Sequence, residues 1–244
     1  MLPRGALGLA CLLLLSSLAL SQSAKTKDLM KGVLGDKSPK DRVVAAEELG
    51  NLAAIKLSEA KLALPALRSA LHKDADPTVR KAALDAIVKI EPEKGVETLI
   101  ETFRRDREPV VRLGIIATLA QLGVQAKEAG PVLHDALLEP FPDRSKVTKE
   151  PKTPQPKDQP KPPPLLPPAK DADPQAVRKA IIPMLRQLQP EPKEYLPVLL
   201  EVLKKDREPT VRLTVAQALG QLGVRAKDAS PALHEAFKNA VQEA

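Results

Sequence analysis

One spacing constrains this chain more than any other feature. An arginine recurs at Arg42, Arg80, Arg112, Arg178 and Arg212, at intervals of 38, 32, 66 and 34 residues. Six residues before four of them stands an aspartate (Asp36, Asp74, Asp106, Asp206), and three residues before the same four stands a proline (Pro39, Pro77, Pro109, Pro209). At Arg178 the spacing is one residue longer, with Asp171 and Pro174. Setting aside the proline-rich stretch 140–170 brings the long interval to about 35, so the period is 32 to 38 residues. A period of that size marks stacked supersecondary units, each too small to bury its own apolar face.

Each arginine opens a helical pattern. Counting from the residue before it, apolar side chains fall at steps 0, 4, 8 and 11: Val79, Ala83, Ile87, Ile90; Val111, Ile115, Leu119, Leu122; Val177, Ile181, Leu185, Leu188; Val211, Val215, Leu219, Leu222. That spacing draws one apolar stripe along one helix face. The first copy reads Asp41, Ala45, Leu49, Leu52, as expected of a terminal unit whose outer side meets water. Proline three residues before the arginine suits a first helical turn, where its missing N–H is not needed. Ser38, Asp76 and Asp173 stand where they can cap the N-terminus. Gly123 and Gly223 stand where helices end.

A further helix is predicted before each aspartate: Glu59–Lys73, Glu93–Arg105, Lys127–Glu139, Glu194–Lys205, and a closing one at Lys227–Val241. Pro65, Pro131 and Pro231 fall at matching places in three of them and are expected to bend them. The unit is thus a bent first helix, a tight turn from Asp to Pro, and a straight second helix.

The pattern resembles HEAT repeats, and most closely a HEAT-like subgroup with V-R-x-x-A-x-x-x-L-G-x-L-G. Val211 to Gly223 is the best match, with Val215 in place of the alanine. The resemblance covers about 36–139 and 171–240. It implies an all-α, right-handed α-solenoid of about five helical hairpins plus a terminal helix. It also implies that the turn residues Asp36/Arg42, Asp74/Arg80, Asp106/Arg112, Asp171/Arg178 and Asp206/Arg212 form a ladder between repeats, and that the second helices line the concave face. A larger copy is visible too: Asp106–Leu137 and Asp206–Phe237 share 19 of 32 residues without a gap, which points to duplication of a repeat pair.

The 25 prolines are unevenly placed, and residues 140–170 are rich in Pro and Lys. Such a segment buries too little apolar surface to fold, and Pro162, Pro163, Pro164, Leu165, Leu166, Pro167 and Pro168 favour an extended left-handed helix, a possible docking element for an aromatic groove. In the repeat register the segment lies inside the turn of the fourth hairpin. Lengthening that turn about eight-fold costs roughly 2 kcal/mol of closure entropy, which stacking on both neighbours can offset. The expected layout is a signal segment at 1–24, three hairpins and the first helix of a fourth at 25–139, the insertion at 140–170, and the remaining repeats with a capping helix at 171–244.

Residues 1–24 read as an export signal. Arg4 precedes the apolar run Ala6 to Leu20, and small residues follow at Ser21, Ser23 and Ala24. The run is shorter than the ~20 residues of a spanning helix. A periplasmic or secreted location is expected, with no membrane span in the mature chain. The single cysteine, Cys11, lies inside this segment, so disulfide and thiolate chemistry are not expected of the mature chain.

The net charge of +7 invites a nucleic-acid reading, but it is concentrated in the insertion, where seven Lys/Arg face three acids. The remaining body is nearly neutral and lacks the basic face that phosphate binding needs. His72, His134 and His234 show no ligand spacing, with the last two read as copies of one surface residue, so no metal or other cofactor is expected. Glu47, Glu48 and Asp85 read as solvated helix residues. A turn pair repeated five times at one spacing reads as structure, not catalysis.

The expected function is a non-enzymatic, monomeric scaffold that takes a protein or peptide on the concave face. The residues ten after the stripe's start, Asn51, Lys89, Gln121, Gln187 and Gln221, form the candidate row. With 2% aromatic residues the usual anchors of tight interfaces are scarce, which suits a weak or extended contact. The alternatives are a HEAT-like tetrapyrrole (bilin) lyase component, which the resemblance suggests, and a structural spacer docked through its proline-rich loop.

Overall fold

The computed structural model describes residues 24–36, 38–138, 175–189 and 191–223, and a few positions between 227 and 238. Residues 1–23 of the expected export signal, Asp171, Asp173, Pro174 and the insertion with Pro162–Pro168 therefore lie outside the described residues. Every regular element described is helical, in keeping with an all-α solenoid. The chain divides into two compact units, one through Thr98 and one from Leu99.

The first unit opens with a helix over 24–35, α1, which the repeat pattern does not announce. It lies beside α2 (Pro39–Leu52) through a Lys25–Glu48 ion pair of 3.0 Å, and reaches the next hairpin where Thr26 bonds Glu59. The second hairpin runs through α3 (Leu57–Leu62), α4 (Leu64–Lys73) and α5 (Pro77–Ile90). The two second helices, α2 and α5, pack side by side, and α4 packs on α5. All four predicted stripe residues of α5 are buried, as are Ala45 and Leu49 of α2, while Asp41 is exposed.

Proline acts differently from expectation at two places. The segment predicted as one bent helix at 59–73 is two helices, because Pro65 sits in the first turn of α4 and opens it. Pro131 likewise lies at the start of α8 (Gly130–Leu138), after a 3₁₀ segment at Gly123–Ala129. A proline can follow a helix break as readily as make a bend, since its absent N–H is harmless in a first turn.

The second unit contains most of α6 (Gly95–Arg105), then α7 (Pro109–Leu122), the 3₁₀ segment, α8, α9 (Ala176–Leu188), α10 (Pro192–Lys205) and α11 (Pro209–Leu222). Its second helices α7, α9 and α11 form a continuous layer, with α9 between the other two. Helices α8 and α10 pack on α9 and on each other. Residues on both sides of 139–174 thus belong to one unit. Val111, Ile115, Leu119, Ile181, Leu185, Leu188, Val215 and Leu219 are all buried, and Leu122 is half-buried. The core is not purely aliphatic, however. Tyr195 and Phe103 are the two largest fully buried side chains among the described residues, and Arg112 stacks on the Phe103 ring at 4.6 Å.

Gly123 and Gly223 end α7 and α11 with φ of +54° and +53°, which only glycine adopts freely with ψ near −130°. The predicted N-caps divide. Asp76 accepts a bond from the Thr78 N–H at 2.8 Å, whereas Ser38 makes no capping bond. Burial works to raise the Asp76 pKa. The Thr78 hydroxyl, the Thr78 and Val79 N–H groups and Arg42 outweigh it and hold the carboxyl below its ordinary 3.8. A carboxyl depressed on folding stabilises the fold above its unfolded pKa and loses that contribution as pH falls through the folded one. Asp76→Ala should therefore cost about 1 kcal/mol at neutral pH. The difference from the parent should shrink below about pH 4, as urea melts across pH will read. Ser38→Ala should cost only a few tenths of a kcal/mol, having no bond to lose.

Candidate functional site

The turn residues come first, because they set the spacing of everything else. Arg42, Arg80, Arg112 and Arg212 each fold back on their own turn. Arg42, Arg80 and Arg212 donate through Nη1 to the carbonyls of Asp36, Asp74 and Asp206 at 2.7, 3.0 and 2.9 Å, and Arg112 through Nε to that of Asp106 at 2.8 Å. The aspartate side chains hold the other strand of the turn. Oδ1 of Asp74, Asp106 and Asp206 each accepts from the N–H two residues on, at 2.9 to 3.0 Å. Arg42 and Arg178 also cross to the next repeat. Arg42 grips Asp74 through two bonds of 2.7 and 2.8 Å, which pushes its pKa further up against the pull of burial.

Arg178 does more. Asp171 is outside the described residues, and the carbonyl that Arg178 finds is that of Leu137, at 3.1 Å from Nε and 2.6 Å from Nη2. The same guanidinium bonds Gln175 Oε1 and both carboxylate oxygens of Asp206. It therefore joins the end of α8, the start of α9 and the turn before α11. Its side chain is 9% exposed and that of Asp206 5%. A guanidinium so placed must have all its donors met, and a fork with this many acceptors meets them.

The five residues of the candidate row are all exposed. In the first unit Lys89 Nζ bonds Asn51 Oδ1 at 3.0 Å, linking α5 to α2. In the second unit Gln121, Gln187 and Gln221 end the adjoining helices α7, α9 and α11, and Gln221 accepts from Arg186 at 3.4 Å. The two units differ in charge along these helices. The first carries Asp41, Glu47, Glu48 and Asp85 on α2 and α5, and the second carries no Asp or Glu on α7, α9 or α11.

The concavities suit a chain-like partner better than a buried small molecule. Between α9 and α11 lies a crevice of about 10 Å³ bordered by Pro183, Arg186, Ala218 and Gln221, room for one water. An open groove of about 500 Å³ between α1 and α2 is lined by Leu29, Val44 and the carboxylates Asp28, Asp36 and Asp41. Among the described residues no three His, Cys, Asp or Glu side chains gather as a metal site. Pro109–Leu138 is long and apolar enough to cross a membrane, but it is two helices joined through Gly123 and the non-helical Ala126, and both pack on α9.

His134 corrects an expectation. It is not a free surface copy of His234: it is half-buried, with Nε2 at 3.0 Å from Oε1 of the buried Gln189. The amide oxygen can only accept, so Nε2 carries the proton. Arg68 and Glu91 make the corresponding contact in the second hairpin, at 2.5 Å. Both pairs tie a first helix to the residue that ends its second helix. The repeat alignment could have shown the two positions, but not that they meet.

With this geometry in place, comparison with family models is decisive. The model for HEAT repeats matches residues 26–120, 64–148 and 162–243, most of the chain. The chain belongs to the HEAT-repeat family. HEAT repeats generally mediate protein–protein contact and are typically scaffolds rather than enzymes, so a protein partner is the coarse expectation for these HEAT hairpins. Comparison with curated proteins found no match.

Proposed function

We propose that this HEAT-repeat chain is a non-enzymatic scaffold outside the cytoplasm, periplasmic or secreted, that holds an extended segment of a partner protein along its second helices. The observation that carries the reading is the side-by-side packing of α7, α9 and α11, which sets Gln121, Gln187 and Gln221 at corresponding ends of three neighbours. Each amide offers a donor and an acceptor, which is what an extended backbone requires. Adjacent helices lie about 10 Å apart, close to three residues of extended chain. Solenoids use such repeated surfaces for long partners. The export reading draws its support from Arg4 and the apolar run after it. The proline-rich segment is proposed as a spacer within the fourth hairpin.

The test is crosslinking and recovery of partners from an extracytoplasmic extract. The triple change Gln121→Ala, Gln187→Ala, Gln221→Ala should reduce recovery of specific partners roughly ten-fold or more while leaving the melting temperature in place. A chain lacking 141–170 should recover them as well as the parent. Loss on deletion, with the triple variant unaffected, would move binding to the proline-rich segment and refute the amide row.

A further inference from the structure

We propose that the segment bound by the second unit is acidic, and that Arg186 grips one of its carboxylates. The inference rests on the second helices being the binding face.

Charge in this unit is segregated by layer. Glu101, Asp135, Glu194 and Glu201 lie on first helices, Glu128 in the 3₁₀ segment, and Asp106, Glu108, Glu191, Asp206 and Glu208 on turns and caps. Helices α7, α9 and α11 carry none. A merely solvated helix face mixes both signs, as α2 and α5 do with Asp41, Glu47, Asp85 and Lys89. Six residues after the stripe's start stand Glu47 and Asp85 in the first unit, but Ala117, Pro183 and Gln217 in the second.

The cations of the layer sort the same way. Arg112 and Arg212 are bound into their turns, and Arg178 is held by Leu137 and Asp206. Arg186 and the half-buried, already engaged Lys179 are the others, both on α9, the middle helix, two turns apart and so about 10 Å along its axis. Arg186 is exposed, and its one hydrogen bond among the described residues is the long contact with Gln221. That neutral partner is readily exchanged for a carboxylate, which a guanidinium binds with two parallel bonds. Pro183 and Ala218 beside it are small, so a backbone can approach the crevice closely. A lysine-rich segment would meet carboxylates only at the turn end of this layer, at Glu108 and Glu208, the end away from Arg186. Two cations are too few to track a phosphate backbone, whose binding draws on many such contacts.

Fluorescence anisotropy of the full chain with labelled peptides of equal length tests this, using a Glu/Ser/Gln, a Ser/Gln and a Lys/Ser/Gln sequence beside a single-stranded oligonucleotide. The acidic peptide should bind roughly five-fold or more tighter than the neutral one at low salt, and the preference should fade as salt is raised. Arg186→Gln should abolish the preference and Arg186→Lys restore part of it. Lys204→Gln, which removes an equal charge from α10, should leave it intact. Equal binding of acidic and neutral peptides, equal losses in Arg186→Gln and Lys204→Gln, or tighter binding of the oligonucleotide would each overturn the inference. If acidic and neutral peptides bind alike and Gln187→Ala with Gln221→Ala weakens both, the face survives and only its charge preference fails. If no peptide binds, both readings fall.

Discussion

Arg178→Met is expected to lower stability by about 3–5 kcal/mol, the usual penalty for stranding one member of a buried ion pair. The side chain of its partner Asp206 is even less exposed, and its carboxylate would keep only the Glu208 N–H among its described partners. The Leu137 carbonyl at the end of α8 would lose two donors as well. In a chain of this length each kcal/mol moves the melting temperature by about 2–4 °C, so a fall on the order of 10 °C is expected in a thermal melt followed by circular dichroism. Adding Asp206→Asn should recover part of it, because the stranded charge is then gone. A change below about 1 kcal/mol would place the guanidinium with solvated surface pairs instead.

The second large effect is a reversal of sign. Gly50 and Gly220 hold the same repeat position, nine residues after the start of the stripe. A Cβ at Gly50 would lie 2.8 Å from the Ala86 Cα and 3.0 Å from its Cβ, so α2 and α5 would have to separate. At Gly220 nothing lies within 4 Å among the described residues. Alanine improves helix propensity by up to about 1 kcal/mol at either site. Overpacking costs about 1–3 kcal/mol and arises only at Gly50. Gly50→Ala should therefore destabilise by about 1–2 kcal/mol, and Gly220→Ala should stabilise by up to about 1 kcal/mol. Paired denaturant melts with equal slopes would check both. Two stabilised variants would mean that the α2–α5 contact yields without strain.

Much of the fold is legible because a repeat states it several times. The stripe from Val79 to Ile90 is buried residue by residue, and so is that from Val177 to Leu188. Positive φ at Gly123 and Gly223 follows from glycine just after an apolar stripe. What one sequence leaves open is decided by neighbours in space. Pro65 fits a bend or a fresh start equally well, and the break before it lies at Ala63, itself fully buried. The helix over 24–35 has no copy of the Asp–Pro–Arg signature to declare it. Ser38 has the chemistry of a cap but does not make the bond.

The candidate site was legible only as a row. The spacing finds Gln121, Gln187 and Gln221, because the same step recurs on each helix. It gives no weight to Arg186, one residue earlier, whose interest lies in the missing carboxylates on α7 and α11. His134 and Gln189 are 55 residues apart and meet through folding alone.

Arg178 also bears on how the array comes apart. Repeat proteins behave as chains of near-neighbour couplings, and weakly coupled repeats can fray singly from an end. One side chain here holds acceptors from the fourth hairpin and from the turn of the fifth. Neither hairpin can open without breaking bonds that belong to the other. The helices on either side of 139–174 are thereby coupled directly, so that opening at the long connection between α8 and α9 must also break the bonds of Arg178.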